Sequence, residues 1–180
     1  MQITDDEVHQ LRHLPLFNLL SQVVRSVGQP MPSYFMERPD GSVVDILGSN
    51  GCAAFVSRLL ASMGSVSGQR LIDGPHNTVT TTIRSLQAAG WQSVAGNQEP
   101  LPGDVIVWES QEQVDGVHTH IGFSIGGGDA VSTQFLKMVI DRHNDTFNGT
   151  RAVAQLLRYP WAPEEYQSLT HLNTADSNVV

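Results

Sequence analysis

Val117-His118-Thr119-His120-Ile121-Gly122-Phe123-Ser124-Ile125 runs directly into Gly126-Gly127-Gly128-Asp129. Side chains alternate along an extended chain, so Val117, Thr119, Ile121, Phe123 and Ile125 share one face. His118, His120, Gly122 and Ser124 share the other. This period of two, closed by a glycine turn, predicts one strand of a hairpin with a buried apolar face. Residues 130–140 then read as the returning strand, broken midway. Upstream, Leu101-Pro102-Gly103-Asp104 is a turn leading into the apolar run Val105-Ile106-Val107-Trp108, and 111–116 reads as a polar loop. Residues 152–159 predict a last strand.

The part before these strands is helical in pattern. Thr4-x-x-Glu7 reads as a capping box opening a short helix with Val8 and Leu11 on one side. Pro15 fits a first helical position, and Leu16, Leu19, Leu20, Val23, Val24 and Val27 recur at helical spacing up to Gly28. Cys52, Phe55, Val56, Leu59, Leu60 and Met63 form an uninterrupted apolar stripe, which predicts a helix closed by Gly64. Asn77 or Thr78 caps another helix, carrying Val79, Ile83 and Leu86 and closed by Gly90. Residues 42–47 read as a short strand or an extended loop. Helices first and hairpin-linked strands second is an α+β pattern, with N-terminal helices packed on an antiparallel sheet. The expected organisation is one domain over 1–160, helical over 1–90 and sheet over 91–160. Residues 161–180, rich in Ser, Thr and Asn, are expected to form a flexible C-terminal tail.

The composition narrows the function classes. With 180 residues, 40% hydrophobic and 16% charged, the chain can bury a core without covalent staples. Eighteen acidic residues against ten basic ones give a net charge of −8, which argues against a nucleic-acid surface or a helix lying on anionic membrane. Apolar stretches fall far short of the ~20 residues a membrane span needs. The single cysteine, Cys52, excludes an internal disulfide framework and any multi-thiolate metal site. It is a buried inert residue, an intermolecular bridge or a nucleophile.

Cys52 follows a Gly48-Ser49-Asn50-Gly51 turn and starts its helix, where unpaired N–H groups and the positive dipole end converge. That setting favours a thiolate. The same residue also suits the first core position of the stripe. His120, mid-strand on the polar face beside Gly122, presents an imidazole to a partner across the sheet; His118 on the same face is its rival. A Cys–His pair is a standard arrangement for nucleophilic catalysis, the imidazole later protonating the leaving amine. If residues 126–128 form a three-residue loop, Ile125 faces Asp129, Ser132 lies opposite Gly122, and Gln134 lies opposite His120. A two-residue turn would place Thr133 there instead. His118-x-His120 also has the form of a metal pair, completed by Asp115, His143 or Cys52, since a catalytic zinc takes a third protein ligand. Asp104 reads as a turn cap, His76 as a loop histidine or the border of a cleft, and Trp108 as core or groove lining.

Three segments carry a resemblance. Gly51-Cys52-Ala53-Ala54-Phe55-Val56 resembles the D-C-S-G-F-V helix start of NlpC/P60 cysteine peptidases. Leu101–Trp108 resembles their P-G-D-L-V-F-F strand, and His120–Gly128 their H-V-G-I-Y-L-G-N-G hairpin. All three occur in the family's order over residues 42–135, and CHAP amidases share the pattern. The resemblance implies a papain-like fold and hydrolysis of amide bonds in bacterial cell-wall stem peptides, commonly after a D-isoglutamyl residue. It assigns Cys52 as nucleophile and His120 as base. The orienting polar residue lies twelve positions after the base, at Ser132, where the family has His, Asn or Gln; Gln134 remains the competitor. The oxyanion hole falls to the Cys52 backbone N–H with Asn50 or Ser49. Departures are Gly51 for Asp, Ala53-Ala54 for Ser-Gly, and an upstream tyrosine that Tyr34 does not match in position. No metal and no cofactor are implied.

The leading expectation is therefore a thiol amidase or endopeptidase acting on peptidoglycan peptides. The alternatives are a non-catalytic peptide- or glycan-binding module on the same fold, or an acyltransferase using the same dyad. Met1–Glu7 is acidic and is followed by no apolar segment, so no secretory signal is expected. A protein made in the cytoplasm would then reach the periplasm or cell wall by a non-classical route, unless a leader had been removed. Single-domain members of this kind include type VI secretion amidase effectors, which have an immunity protein as partner, and phage lysis enzymes.

Overall fold

The computed structural model describes residues 14–33, 35–37, 39–45, 50–67, 70–113, 116–134 and 137–176. The expected helix at Thr4–Leu11, Tyr34, Ser49 and Asp115 lie outside them. The described elements, in chain order, are α1 (Pro15–Ser26), β1 (Phe35–Glu37), β2 (Val43–Asp45), α2 (Gly51–Ser67) and α3 (Val79–Ala88). Then come β3 (Gln92–Ala95), β4 (Val105–Gln113), β5 (Gly116–Gly126), β6 (Asp129–Gln134), β7 (Val139–Asn144), β8 (Val153–Arg158) and α4 (Pro163–Asp176). Six strands form one antiparallel sheet in the order β3-β8-β4-β5-β6-β7, while β1 and β2 pair separately. This is the α+β architecture the sequence predicts. No helix among the described residues is long and apolar enough to cross a membrane.

The alternation in β5 sorts the two faces. Ile121 and Phe123 join Val105, Val107, Val131 and Leu157 under α1 and α2, and Phe55 meets Phe123 edge-on at 5.7 Å. Ile106, Trp108, Ala130 and Leu156 pack on the opposite face. The paired residues Trp108↔His120, Ile106↔Gly122 and Gly122↔Ser132 share that second face. At the outer edge, Gly28 N–H donates to Ile140 O at 2.8 Å and Met31 N–H to Met138 O at 2.9 Å. The chain leaving α1 thereby covers the backbone groups of β7, an edge that would otherwise be open to pairing.

Several boundaries differ from expectation for local reasons. The stripe helix α2 runs through Gly64 to Ser67. Residues 111–113 and 116, expected as loop, are strand: β4 continues to Gln113 and β5 begins at Gly116, with Gln111↔His118 paired beyond a bulge. Residues 130–140 divide into β6 and β7, which form their own hairpin. Residues 163–176 form α4. Trp161 is buried, Tyr166 and Leu169 pack on the core, and Glu165 Oε2 accepts the Leu16 N–H at 2.7 Å. That carboxylate satisfies a donor at the start of α1 which no residue of α1 can reach. Thr78 caps α3, its side chain accepting from Thr81 N–H at 3.2 Å.

The β5–β6 turn combines both geometries considered above. Gly126 pairs with Asp129 around the two-residue turn Gly127-Gly128, and a bulge between Ser124 and Gly126 restores the register Ser124↔Ala130 and Gly122↔Ser132. Gly126, Gly127 and Gly128 all have positive φ, at 85°, 63° and 79°. Only glycine adopts three such residues in succession without strain.

Candidate active site

Cys52 is the second residue of α2 and is 1% exposed. Residues 51–57 are all buried, because this end of the helix is enclosed on every side. That enclosure explains the local departures from the NlpC/P60 pattern. Ala53 and Ala54 are both fully buried, and a Cβ on Gly51 would stand 2.8 Å from Met31 Sδ.

The sulfur meets the sheet where β6 parts from β5. Ser124 N–H donates to Asp104 O at 2.8 Å, so the even-numbered backbone groups of β5 face β4. Ile121 therefore turns its N–H toward the β6 side, and the described β5–β6 pairing stops at Gly122↔Ser132. That N–H, left outside the ladder, hydrogen-bonds the Cys52 sulfur. His120 is the preceding residue on the same strand.

His120 Nε2 lies 2.8 Å from Ser132 Oγ, and Ser132 Oγ lies 2.7 Å from His143 Nε2. His143 Nδ1 lies 2.8 Å from Asn144 O. Gly122 makes the approach possible, since a Cβ there would stand 2.7 Å from Ser132 Cβ and 3.0 Å from Trp108 Cη2. The Trp108 ring lies 5.3 Å from that of His120 and 5.6 Å from that of His143. Phe147 stacks on His143 with centroids 3.8 Å apart. Phe147 and Asn148 hold positive φ values of 50° and 56°, an uncommon conformation that costs about 1–3 kcal/mol for a bulky residue. Trp108 Nε1 donates to Asp145 O at 2.5 Å, which ties the aromatic wall to the same turn.

The electrostatics reverse one expectation. Burial pushes the Cys52 thiol up, against the opposing pull of the Ile121 and Ala53 backbone and the Arg151 charge. Desolvation outweighs the helix start, so the resting group is a thiol rather than a thiolate. Burial likewise pushes His120 down to about 3, helped by the positive charge of Arg151 and by His143. The resting pair is neutral on both sides. Arg151 is 7% exposed, donates to Glu109 O at 2.9 Å and to His118 O at 2.5 Å, and has no carboxylate partner among the described residues. It is a buried cation whose field reaches both Cys52 and His120.

The structure thus brings His120 and Ser132 into contact and sets Cys52 against the residue next to His120. Gln134 pairs with Val139 at the end of β6. Asn50 immediately precedes α2 and is half-buried, two residues before Cys52, whose backbone N–H the helix leaves without an internal acceptor. His118 pairs with Gln111 in the β4–β5 ribbon. Among the described residues no three His, Cys, Asp or Glu side chains group as metal ligands. Asp104 caps its turn through Leu101 N–H at 2.8 Å and pairs with Arg158 at 2.7 Å. His76 is fastened to α2, its N–H donating to Ser57 Oγ at 2.8 Å. His143 appeared in the sequence as a metal candidate, Arg151 carried no signal, and Phe147 carried none.

No protein-family model matches the chain, and no curated protein matches it. Among solved structures it is similar to NlpC2 from Trichomonas vaginalis, with a TM-score of 0.50 and 19% sequence identity over 83% of this chain and 47% of that one. The chain spans about half the length of that structure. The likeness supports an NlpC/P60-like, papain-like fold, as the sequence motifs imply.

Proposed function

We propose that the chain is a cysteine hydrolase of NlpC/P60 type that cleaves amide bonds in bacterial cell-wall stem peptides. The observation that carries this reading is the junction at β5, where the Cys52 sulfur rests on the Ile121 amide and the adjacent His120 ring is fixed by Ser132. His120 Nδ1 takes the thiol proton as the sulfur attacks the amide carbonyl, forming a C–S bond. The Cys52 backbone N–H, with Asn50 beside it, receives the developing oxyanion. The imidazolium then gives its proton to the leaving amine as the C–N bond breaks. Water, deprotonated by the same ring, hydrolyses the thioester and restores the thiol. Arg151 favours thiolate over thiol and disfavours imidazolium, so its field supports the nucleophile at the base's expense.

The substrate class, action in the periplasm or wall, and an immunity protein as partner belong to this proposal and rest on the motif resemblance. Incubation with purified stem peptide, followed by intact-mass analysis, tests the chemistry. A transient acyl adduct on Cys52 supports it, and turnover without any adduct on Cys52 under rapid quench contradicts it.

One observation favours a second reading. Cys52 is 1% exposed and its thiol is pushed up, which suits a binding module that retains the fold without the chemistry. Iodoacetamide separates the two. Under the hydrolase reading, bound stem peptide opens the site and changes the alkylation rate of Cys52; under the module reading, peptide binds without altering it.

A further inference from the structure

We propose that His143 is a positioning residue: through the Ser132 hydroxyl it holds His120 in the Nε2–H tautomer, which leaves Nδ1 as the unprotonated ring nitrogen. The assignment of Nδ1 as base rests on the hydrolase reading above; the proton order itself does not.

The order follows from one end of the chain of contacts. Asn144 O is a carbonyl and accepts only, so at 2.8 Å His143 Nδ1 must carry the proton. A neutral His143 then offers a lone pair at Nε2, and the Ser132 hydroxyl donates to it across 2.7 Å. With its proton spent there, Ser132 Oγ accepts from His120 Nε2–H across 2.8 Å. His120 Nδ1, the ring nitrogen bonded to Cγ and so nearer the main chain, is left as a lone pair. A serine alone does not set this direction, because its hydroxyl both donates and accepts. Asparagine or glutamine at the third position orients the base with its own carbonyl. Here that polarity is borrowed from a main-chain carbonyl two side chains away.

Charging His143 reverses the chain. Its Nε2 becomes a donor, Ser132 turns its proton toward His120 Nε2, and His120 is driven to the Nδ1–H form. The groups facing His143 are Asp141 on its own strand, Asp145 in the following turn, Asp129 on β6 and His120 beyond Ser132. Asp129 also pairs with Arg142, and Asp141 with Lys137 at 2.9 Å. The three acids favour a charged His143, whereas Arg151 and His143 oppose charge on His120. Burial nonetheless holds His143 below its ordinary value, against the pull of the Asn144 carbonyl and the three acids.

The test is ring nitrogen–proton correlation NMR of His120 in the full chain, in wild type, His143→Phe, His143→Gln and Ser132→Ala. Near neutral pH the wild type shows a single Nε2–H tautomer. His143→Phe and Ser132→Ala each yield a mixture with Nδ1–H, and His143→Gln, whose amide oxygen accepts from Ser132, recovers the wild-type form. With stem peptide, His143→Phe lowers kcat about tenfold with KM unchanged, a modest part of the roughly 10²–10⁴-fold that a positioned acid–base group supplies. If His143→Phe does not fold, His143→Leu takes its place, because Ser132→Ala alone does not separate His143 from the serine. A wild-type His120 with Nδ1–H, or a tautomer indifferent to both substitutions, overturns the inference. The predicted tautomers without hydrolysis in any variant would uphold the proton chain and defeat the hydrolase reading.

Discussion

Gly122 and Ser132 face each other on β5 and β6, and the gap between them has no room for one added carbon. A Cβ on Gly122 would stand 2.6 Å from Val131 O and 2.7 Å from Ser132 Cβ. The missing side chain lets Ser132 reach His120 on one side and His143 on the other. Gly122→Ala is predicted to lower stability by about 1–3 kcal/mol, the usual cost of overpacking. It should also break the His120–Ser132 bond, read as a change in the His120 ring resonances. A variant with wild-type stability and resonances would show that the close approach is not required.

Folded His120 is pushed down to about 3, against an ordinary value of 6.5. Between these values the unfolded chain binds a proton that the folded chain refuses. Stability should therefore be complete above 6.5 and fall as pH drops toward 3, by up to about 1.4 kcal/mol per pH unit. Urea unfolding across this range, in wild type and His120→Gln, isolates the contribution. An unchanged slope in His120→Gln would place the titrating group elsewhere.

Arg151 is a buried cation without a carboxylate partner among the described residues, and its field favours the Cys52 thiolate. Arg151→Met is predicted to raise the pH at which iodoacetamide reacts with Cys52 and to raise the titration of His120. The two shifts have the same sign because loss of the cation disfavours thiolate and relieves imidazolium. Shifts in opposite directions would contradict the electrostatic role. Unchanged titrations would also contradict it.

Glu165 in α4 accepts the Leu16 N–H at the start of α1, 149 residues away in sequence. Glu165→Ala should cost about 1 kcal/mol, as loss of a helix N-cap does. Amide exchange at Leu16 should rise with it. Protection retained at Leu16 would mean that another group caps the helix.

The β5 strand was legible because a clean period of two runs through 117–125, and its register to Ser132 followed from counting across the glycines. The turn satisfied that count with a bulge at Ile125, which no composition signal marks. The α2 stripe was legible too, but not the burial around Cys52. A helix N-terminus suggests a thiolate, and only tertiary packing reveals that desolvation outweighs it. His143 and Phe147 were invisible in their roles because 135–138 interrupt the alternation, so the β6–β7 register cannot be carried across. The last helix escaped notice because its contact with α1, through Glu165, is long-range, while its own composition is polar.

The most direct test of the account is cleavage of purified peptidoglycan by wild type and by Cys52→Ala, with released stem-peptide fragments identified by mass. The wild type should open an amide bond within the stem peptide and expose a new amine and a new carboxylate. Cys52→Ala, with an unchanged circular dichroism spectrum, should release nothing above background. Cleavage retained in Cys52→Ala would contradict the claim that this thiol is the nucleophile.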